Sequence, residues 1–252
     1  ILDDTLTSLG PLIEAGAQVI VCDAGSDRES VEVCRRHNIT MRRRDNRGYS
    51  ALVNSGVAES NRPYILLLNG DARLIDAADV EPALHFLSLN VYAAVGLHHR
   101  IEGGQQLTFW PLGVSLGGEL LRNATTRYCA HRPDRLADWT ARLARPFEVA
   151  WASGSALLAP RASFAECPWD ESFFLYYEDI DWCLRLRTAQ QRIAYYPGCA
   201  VYHIGGASTG PIRGAMRAHY DASQRRLFAK HGNPFSRLVI GGYQWLRGPF
   251  SS

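Results

Sequence analysis

The segment Tyr176-Tyr177-Glu178-Asp179-Ile180-Asp181 puts three carboxylates within four residues and runs on into Trp182-Cys183-Leu184-Arg185. Carboxylates this close repel one another, which is costly unless a cation, an arginine or a chemical task offsets the repulsion. Asp181 and Arg185 stand at i,i+4, the spacing of an ion pair on one helix face, so that pair reads as structural. Glu178 and Asp179 then fall at the helix start, where they either complement the helix dipole or act chemically. Aromatic residues crowd that start, from Trp169 through Phe173, Phe174 and Tyr176 to Tyr177. A carboxylate partly shielded from water there suits a general base that takes a proton from a hydroxyl.

Three further clusters carry chemistry, each with a plainer reading beside it. Asn69-Gly70-Asp71 follows the apolar run Tyr64–Leu68. A carboxylate at a strand end is a fit ligand for a hard cation, Mg2+ or Mn2+, shared with phosphate oxygens. The competing reading is a hairpin turn, the usual meaning of Asn-Gly, although Ala72-Arg73-Leu74-Ile75-Asp76 does not read as a returning strand. Asp23-Ala24-Gly25-Ser26 closes a second apolar run, at the kind of position where open sheets collect ligands. Asp23 there can accept a hydrogen bond from a nucleobase N–H, with Ser26 at the following helix N-terminus; the alternative is a turn and helix cap. His203, in Val201-Tyr202-His203-Ile204-Gly205-Gly206, is either a hydrogen-bonded structural histidine or a metal ligand beside a glycine loop that closes over a diphosphate.

The elements that must position these residues are strands and helices in alternation. Gln18–Cys22 reads as a strand and 27–37 as a helix, with Ser26 and Glu29 at capping-box spacing. A short strand at 39–42, a helix through Leu52, Val53 and Val57, the strand Tyr64–Leu68, a helix over 76–88 and a strand over 91–95 follow. Such alternation predicts an α/β fold with a doubly wound, mostly parallel sheet. Beyond residue 96 the pattern changes to strands at 108–116 and 149–158, separated by an Arg-rich irregular stretch over 122–146. Next come a segment at 173–187 that turns from extended to helical, short strands on either side of Pro197-Gly198, and a helix over 214–230. This suggests a nucleotide-binding half (1–96), an acceptor-binding and catalytic half (97–213) and a helical, apolar tail (214–252) without a flexible linker. The tail residues Phe235, Leu238, Val239, Ile240, Tyr243, Trp245, Leu246 and Phe250, with Arg237 and Arg247 among them, suit either a bilayer surface or the protein's own core.

Composition removes several classes. A net charge of +2 is too small for nucleic-acid binding by bulk electrostatics. No apolar stretch approaches the roughly 20 residues of a bilayer span, and the first residues lack the pattern of a signal peptide. The six cysteines form no CxxC pair or zinc pattern, which fits a reduced, cytoplasmic protein.

Taken in order, Asp23-x-x-Ser26, Asn46-Arg47-Gly48-Tyr49 with Asn54 and Gly56, Leu66–Asp71, Ser153–Leu158, Trp169–Asp181 and Tyr196-Pro197 with His203 resemble family 2 of the inverting glycosyltransferases, most closely its bacterial rhamnosyltransferase-like branch. The resemblance implies a GT-A fold, a Rossmann-like sheet with an acceptor-binding extension. Position by position it implies that Asp23 contacts the nucleobase, that Asn46 and Gly48 shape the nucleoside pocket beside Ser26 and Asn69, and that Asp71 and His203 hold the metal. It makes Asp179 the catalytic base with Glu178 beside it, and places Ser153, Gly154, Trp169 and Tyr177 in the acceptor region. The partners implied are a nucleoside diphosphate sugar, with rhamnose first, and a glycan or glycolipid acceptor. Ala24, Leu52, Cys167-Pro168 and Asn69 depart from the family pattern, so that the metal motif offers one carboxylate. The family's first buried strand is expected to be absent, since the sequence begins after it. A nucleotidyltransferase, and a non-catalytic nucleotide-sugar-binding or assembly module, are the alternatives.

Overall fold

The computed structural model describes residues 1–25, 28–102, 104–130, 144–204 and 213–246. The chain opens with two short helices, α1 (Leu2–Ser8) and α2 (Gly10–Glu14). It then alternates through β1 (Val21–Asp23), α3 (Arg28–Arg36), β2 (Met41–Arg43), α4 (Tyr49–Glu59) and β3 (Tyr64–Leu68). After β4 (Ala72–Leu74), a 3-10 turn (Ala77–Asp79) leads into α5 (Val80–Leu89), and β5 (Ala94–Ile101) follows. The second half contributes β6 (Gly104–Gln106), β7 (Phe109–Trp110), α6 (Leu116–Ala130), β8 (Phe147–Glu148), β9 (Trp151–Ala152), β10 (Ala156–Pro160) and α7 (Arg161–Glu166). It ends with α8 (Glu178–Thr188), β11 (Ile193–His203), α9 (Arg213–His231) and α10 (Pro234–Leu246).

The main sheet runs β3-β10-β5-β11-β4, with β6 added to β5 and β8 to β11. Its order interleaves the two halves of the chain, because β10 lies between β3 and β5. The α/β layering is as expected, but the sheet is mixed rather than mostly parallel. β5 and β11 are parallel, whereas β10 is antiparallel to both its neighbours and β4 is antiparallel to β11. β10 is reached only after the long excursion through β6, β7, α6, β8 and β9, and it enters the sheet antiparallel to both neighbours. β1 pairs in parallel with β2 in a separate small sheet, and β1 and β3 do not pair.

β10 shows why its sequence is apolar throughout. Ala156 and Leu158 face one core with Val80, Ala83 and Leu87 of α5, while Leu157 and Ala159 face the other with Trp169, Phe173 and Trp182. A strand covered on both faces has no polar face to spare. The second core is aromatic: Phe164 stacks on Trp182 at 4.7 Å, and Trp182 lies 5.9 Å from Trp169.

Several local expectations change. Ala72-Arg73-Leu74 is a strand after all, but it pairs with Val201–His203 and not with β3, so Asn69-Gly70 is no hairpin. The strand expected over 108–116 shrinks to β7, and of the stretch read as irregular over 122–146, residues 122–130 belong to helix α6 while 131–143 lie outside the described residues. The two strands around Pro197-Gly198 are one, β11, with a register shift between Tyr196 and Ala200 that accommodates the proline. Among the described residues no helix is long and apolar enough to cross a membrane.

Candidate active site

The β4–β11 register decides where Asp71 goes. Ala72 pairs with His203, and the Ile204 amide donates to the Asp71 carbonyl at 3.1 Å. The Asp71 carboxylate therefore meets the His203 ring, Oδ1 to Nε2 at 3.2 Å, both side chains being mostly buried. Burial opposes ionisation of Asp71, but the hydrogen bond and charge of His203 outweigh it and hold the carboxyl below its ordinary range. On the far side of the ring, Nδ1 lies 3.2 Å from the Gln106 Oε1. A cation between the two would take the Nε2 lone pair in place of this hydrogen bond, with Nδ1–H donating to the Gln106 amide oxygen, the second contact that orients a metal-binding histidine. Among the described residues no three His, Cys, Asp or Glu gather into a metal cluster. An Asp–His pair of this kind instead fits a cation that completes its shell with substrate oxygens and water. The pair lines a cleft of about 1680 Å³, whose walls also carry Asp23, Tyr49, Asn69 and Gln106.

The carboxylates of α8 are sorted by their surroundings. Tyr176 and Tyr177 both adopt left-handed backbone, φ 69° and 65°, an uncommon pairing for aromatic residues, and this turn starts the helix. Asp179 accepts from the amides of Gly154 (3.0 Å) and Ile180 (2.8 Å). Burial raises its pKa, and these donated bonds oppose the rise. Glu178 is 5% exposed, and its Oε2 has no hydrogen-bond partner among the described residues. Burial first, then the neighbouring Asp179 charge, push its carboxyl well above the ordinary range. Asp181 is wholly buried and receives Arg185 (2.8 Å), Lys230 (2.8 Å) and His231 (2.7 Å). The hydrogen bonds from these three side chains and the charge of Arg185 outweigh burial and hold its pKa below the ordinary range. Three adjacent acids thus have three environments: a hydrogen-bonded carboxylate, a buried acid and an ion-paired anchor.

The remaining expected residues are placed as follows. Asp23 is buried at the end of β1, its Oδ2 accepting from the Gly25 amide at 3.3 Å and lying 3.8 Å from Arg43. Asn46 is exposed. Gly48 is buried at φ 96°, where a Cβ would lie 2.4 Å from the Phe174 carbonyl oxygen. Its absence lets the Tyr49 amide donate to that carbonyl at 2.7 Å, so the start of α4 clasps the segment before Glu178. Asn54 strengthens the clasp by bonding both the amide and the carbonyl of Trp169 at 2.9 Å. Asn69 accepts from the Tyr49 hydroxyl at 2.8 Å, and its amide donates to the Ser155 carbonyl. Gly154 packs beneath Trp169, since a Cβ there would come within 2.4 Å of the indole. Trp169 and Tyr177 are themselves buried. The Tyr177 hydroxyl is engaged with Glu119, Tyr220 and Gln224 and presents no open ring face. Ser26 lies outside the described residues.

Sequence reasoning missed Gln106 and His99, and it named Tyr49 and Ser155 only within motifs, without a role. His99 is buried in β5, bonded to Ser155 and packed edge-on against His203 at 5.7 Å. The pair His98-His99 in an apolar strand was a visible signal, since histidines in buried strands need partners.

The fold is that of the GT-A glycosyltransferases; Asp71 and His203 line the cleft, and Asp179 is bonded to the Gly154 amide. The chain belongs to the family described as Glycosyl transferase family 2, whose model matches residues 1–141. It is 28% identical over 265 residues to the N-acetylglucosaminyl-diphospho-decaprenol L-rhamnosyltransferase of Mycobacterium tuberculosis, covering 91% of this chain and 80% of that one. Among solved structures, S. aureus TarS (1–349) aligns over 90% of this chain and 68% of its own, with a TM-score of 0.54 and 11% identity. GalNAc-T7, solved with UDP, GalNAc and Mn2+, aligns over 75% of this chain at a TM-score of 0.53 and 13% identity, and the chain spans 38% of its length. At these identities the structural likeness speaks for the fold. Family membership decides for a glycosyltransferase among the readings that the sequence left open.

Proposed function

We propose that this glycosyltransferase moves a sugar, rhamnose first, from a nucleoside diphosphate to an acceptor hydroxyl with inversion at the anomeric carbon. The observation that carries the reading is the turn Ser153-Gly154-Ser155. One side of it donates to Asp179, and the other meets His99, which packs on His203, and Asn69, which leads into Asp71. A proton acceptor and a diphosphate-binding pair thus share one short piece of backbone.

In this mechanism Asp179 takes the proton of the acceptor hydroxyl as its oxygen attacks the anomeric carbon and the bond to the diphosphate breaks. The amides of Gly154 and Ile180 oppose the rise in its pKa and fix the direction of the carboxylate beforehand. Asp71 and His203 would hold Mg2+ or Mn2+. That cation would supply Lewis-acid neutralisation of the departing diphosphate. Asp23 accepts from the nucleobase at the end of β1, with Ser26, Asn46, Gly48 and Asn69 around the nucleoside. Holding both substrates in line supplies much of the remaining acceleration. Glu178 stays protonated in its buried site and positions the base, while Ser153, Gly154, Trp169 and Tyr177 shape the acceptor side.

The Mycobacterium tuberculosis relative, named for rhamnosyl transfer to a diphospho-decaprenol-linked sugar, supports rhamnose as donor sugar and a lipid-linked glycan of a bacterial surface polysaccharide as acceptor. Helix α10 supports work at a membrane surface, the cytoplasmic face of the cell membrane on this reading. Ile240 packs inward, whereas Phe235 and Leu238 are 67% and 74% exposed beside the exposed Arg237. Side chains beyond Gln244 lie outside the described residues.

The test is calorimetric binding of thymidine and uridine diphosphates with and without Mn2+. Affinity is expected to fall at least tenfold on chelation, and Asp71→Ala and His203→Ala are each expected to reproduce the loss. Equal affinity with and without chelator removes the cation from the mechanism.

A further inference from the structure

The backbone is strained directly before the candidate base. Tyr176 and Tyr177 hold φ 69° and 65°, a region that glycine enters freely and aromatic residues avoid. Two such residues in succession keep that conformation only where their surroundings over-determine it. Tyr177 is the N-cap of α8, and its carbonyl accepts from the Asp181 amide at 2.9 Å, the first hydrogen bond of the helix. Asp179 lies inside the turn that this bond closes. A change of backbone direction at Tyr177 therefore swings Asp179 relative to the Gly154 amide, which is 3.0 Å from its Oδ2.

The group that over-determines the turn is the Tyr177 hydroxyl. It is enclosed by two helices, 3.0 Å from the Glu119 Oε1 of α6 and 2.7 Å from the Tyr220 hydroxyl of α9. The Gln224 Nε2, also on α9, donates to it at 2.9 Å. Each of these partners is itself held. Arg122 forms an ion pair with Glu119 at 2.7 Å, and Gln244 of α10 donates to the Gln224 amide oxygen at 2.8 Å. The residues just before the turn are gripped by α9 as well: Ser223 donates to the Leu175 carbonyl at 2.8 Å, and His219 stacks on Phe174 with 4.4 Å between ring centres. A phenol with three fixed partners has one position, and the backbone that carries it has little freedom left.

We propose that Tyr177 is a positioning residue for Asp179: its buried hydroxyl, fixed between α6 and α9, holds the left-handed turn that sets the Asp179 carboxylate against the Gly154 amide. This rests on the reading of Asp179 as the base. Helices α6 and α9 supply no reacting group on that reading, yet through this one side chain they determine where the base stands. The inference also says why an aromatic residue occupies a backbone position that suits glycine: the side chain is the anchor, and glycine has none.

The experiment compares Tyr177→Phe, Tyr195→Phe and Asp179→Asn with the unaltered protein. It reads turnover at saturating substrates, donor affinity, acceptor KM, melting temperature and the 1H–15N signal of the Gly154 amide. Tyr177→Phe keeps the ring and loses only the hydroxyl. Misplacing a reacting group by about 1 Å costs about 10²-fold, so a smaller shift is expected to lower turnover roughly tenfold. The donor dissociation constant and the acceptor KM are expected to stay within about twofold. The Gly154 amide proton is expected to move upfield in the same variant, as its bond to Asp179 lengthens. Tyr195→Phe is the control, since it removes another buried hydroxyl, one that bonds His98 at 2.6 Å. It is expected to lower the melting temperature comparably and to leave turnover and the Gly154 signal in place. Normal turnover or an unmoved Gly154 signal in Tyr177→Phe overturns the proposal, as do the same changes in Tyr195→Phe. A loss carried by donor affinity or acceptor KM overturns it too, because Tyr177 would then act on substrate binding. If the Gly154 signal moves in Tyr177→Phe while Asp179→Asn keeps normal turnover, it is the assignment of the base that fails.

Discussion

Asp181→Asn isolates the anchor that holds α8, and with it Glu178 and Asp179, against the last helices. The carboxylate is fully buried and faces Arg185 on its own helix and Lys230 and His231 at the end of α9. Lys230 is the only lysine in the chain, and it also bonds Asp170, so one side chain ties the Trp169–Phe174 segment to α8. Breaking a buried ion pair from one side costs about 3–5 kcal/mol. Here Arg185 and Lys230 are 24% and 34% exposed and regain part of their hydration, which brings the expected loss to about 2 kcal/mol. For a protein of this size that is a fall in melting temperature of about 4–8 °C. Asp181 has a depressed folded-state pKa, so its contribution is present above the unfolded value near 4 and is lost as pH falls through the folded value. Thermal melts of both proteins from pH 3 to pH 8 are expected to show a constant gap above pH 5 that closes below pH 4. A gap that is absent at pH 7, or that widens in acid, refutes the claim that this carboxylate is an ionised anchor.

Other perturbations separate the roles of neighbouring residues. Glu178 has a raised pKa, so its stabilising protonated form is complete below about 4 and is lost as pH rises through the folded value. Glu178→Gln is therefore expected to melt at or above the wild type at pH 8, with turnover within about threefold; a large loss of turnover would make Glu178 the reacting group. Gly48→Ala places a Cβ 2.4 Å from the Phe174 carbonyl oxygen at φ 96°, a strain of about 2–5 kcal/mol. Its melting temperature and turnover are both expected to fall, and unchanged values in both would deny the clasp between α4 and the 169–174 segment. Phe235→Ser with Leu238→Ser is expected to abolish flotation with anionic vesicles and leave turnover on a soluble acceptor intact. Retained flotation would show that α10 is not the membrane face.

What the sequence made legible was whatever depends on local order. The run Tyr64–Leu68 was visible as a strand, and Asp181 with Arg185 as a helix pair, because spacing along the chain determines both. The carboxylate at Asp71 was legible as one that stands just beyond a strand end. Its meeting with His203 depends on β4 crossing to β11, a long-range pairing that no three-residue strand announces. Strand direction was not legible for the same reason, since Ala156–Pro160 is apolar on both faces whether it runs up or down. Lys230 and His231 on Asp181, and His99 behind Ser155, are contacts across 49, 50 and 56 residues. They follow from tertiary packing and leave no periodic trace. For Tyr177, the position beside the candidate base was legible, while the ties of its hydroxyl to Glu119, Tyr220 and Gln224 were not.

The central claim is that Asp179 takes the acceptor's proton while Asp71 and His203 bind the donor's diphosphate independently of it. Asp179→Asn keeps the size of the side chain but cannot take the proton. The decisive measurement is turnover and donor affinity for this one variant, under the same conditions as the wild type. Turnover is expected to fall roughly 10²-fold or more, with the donor dissociation constant unchanged within about twofold. Near-normal turnover, or a loss that comes entirely from weakened donor binding, would contradict the account.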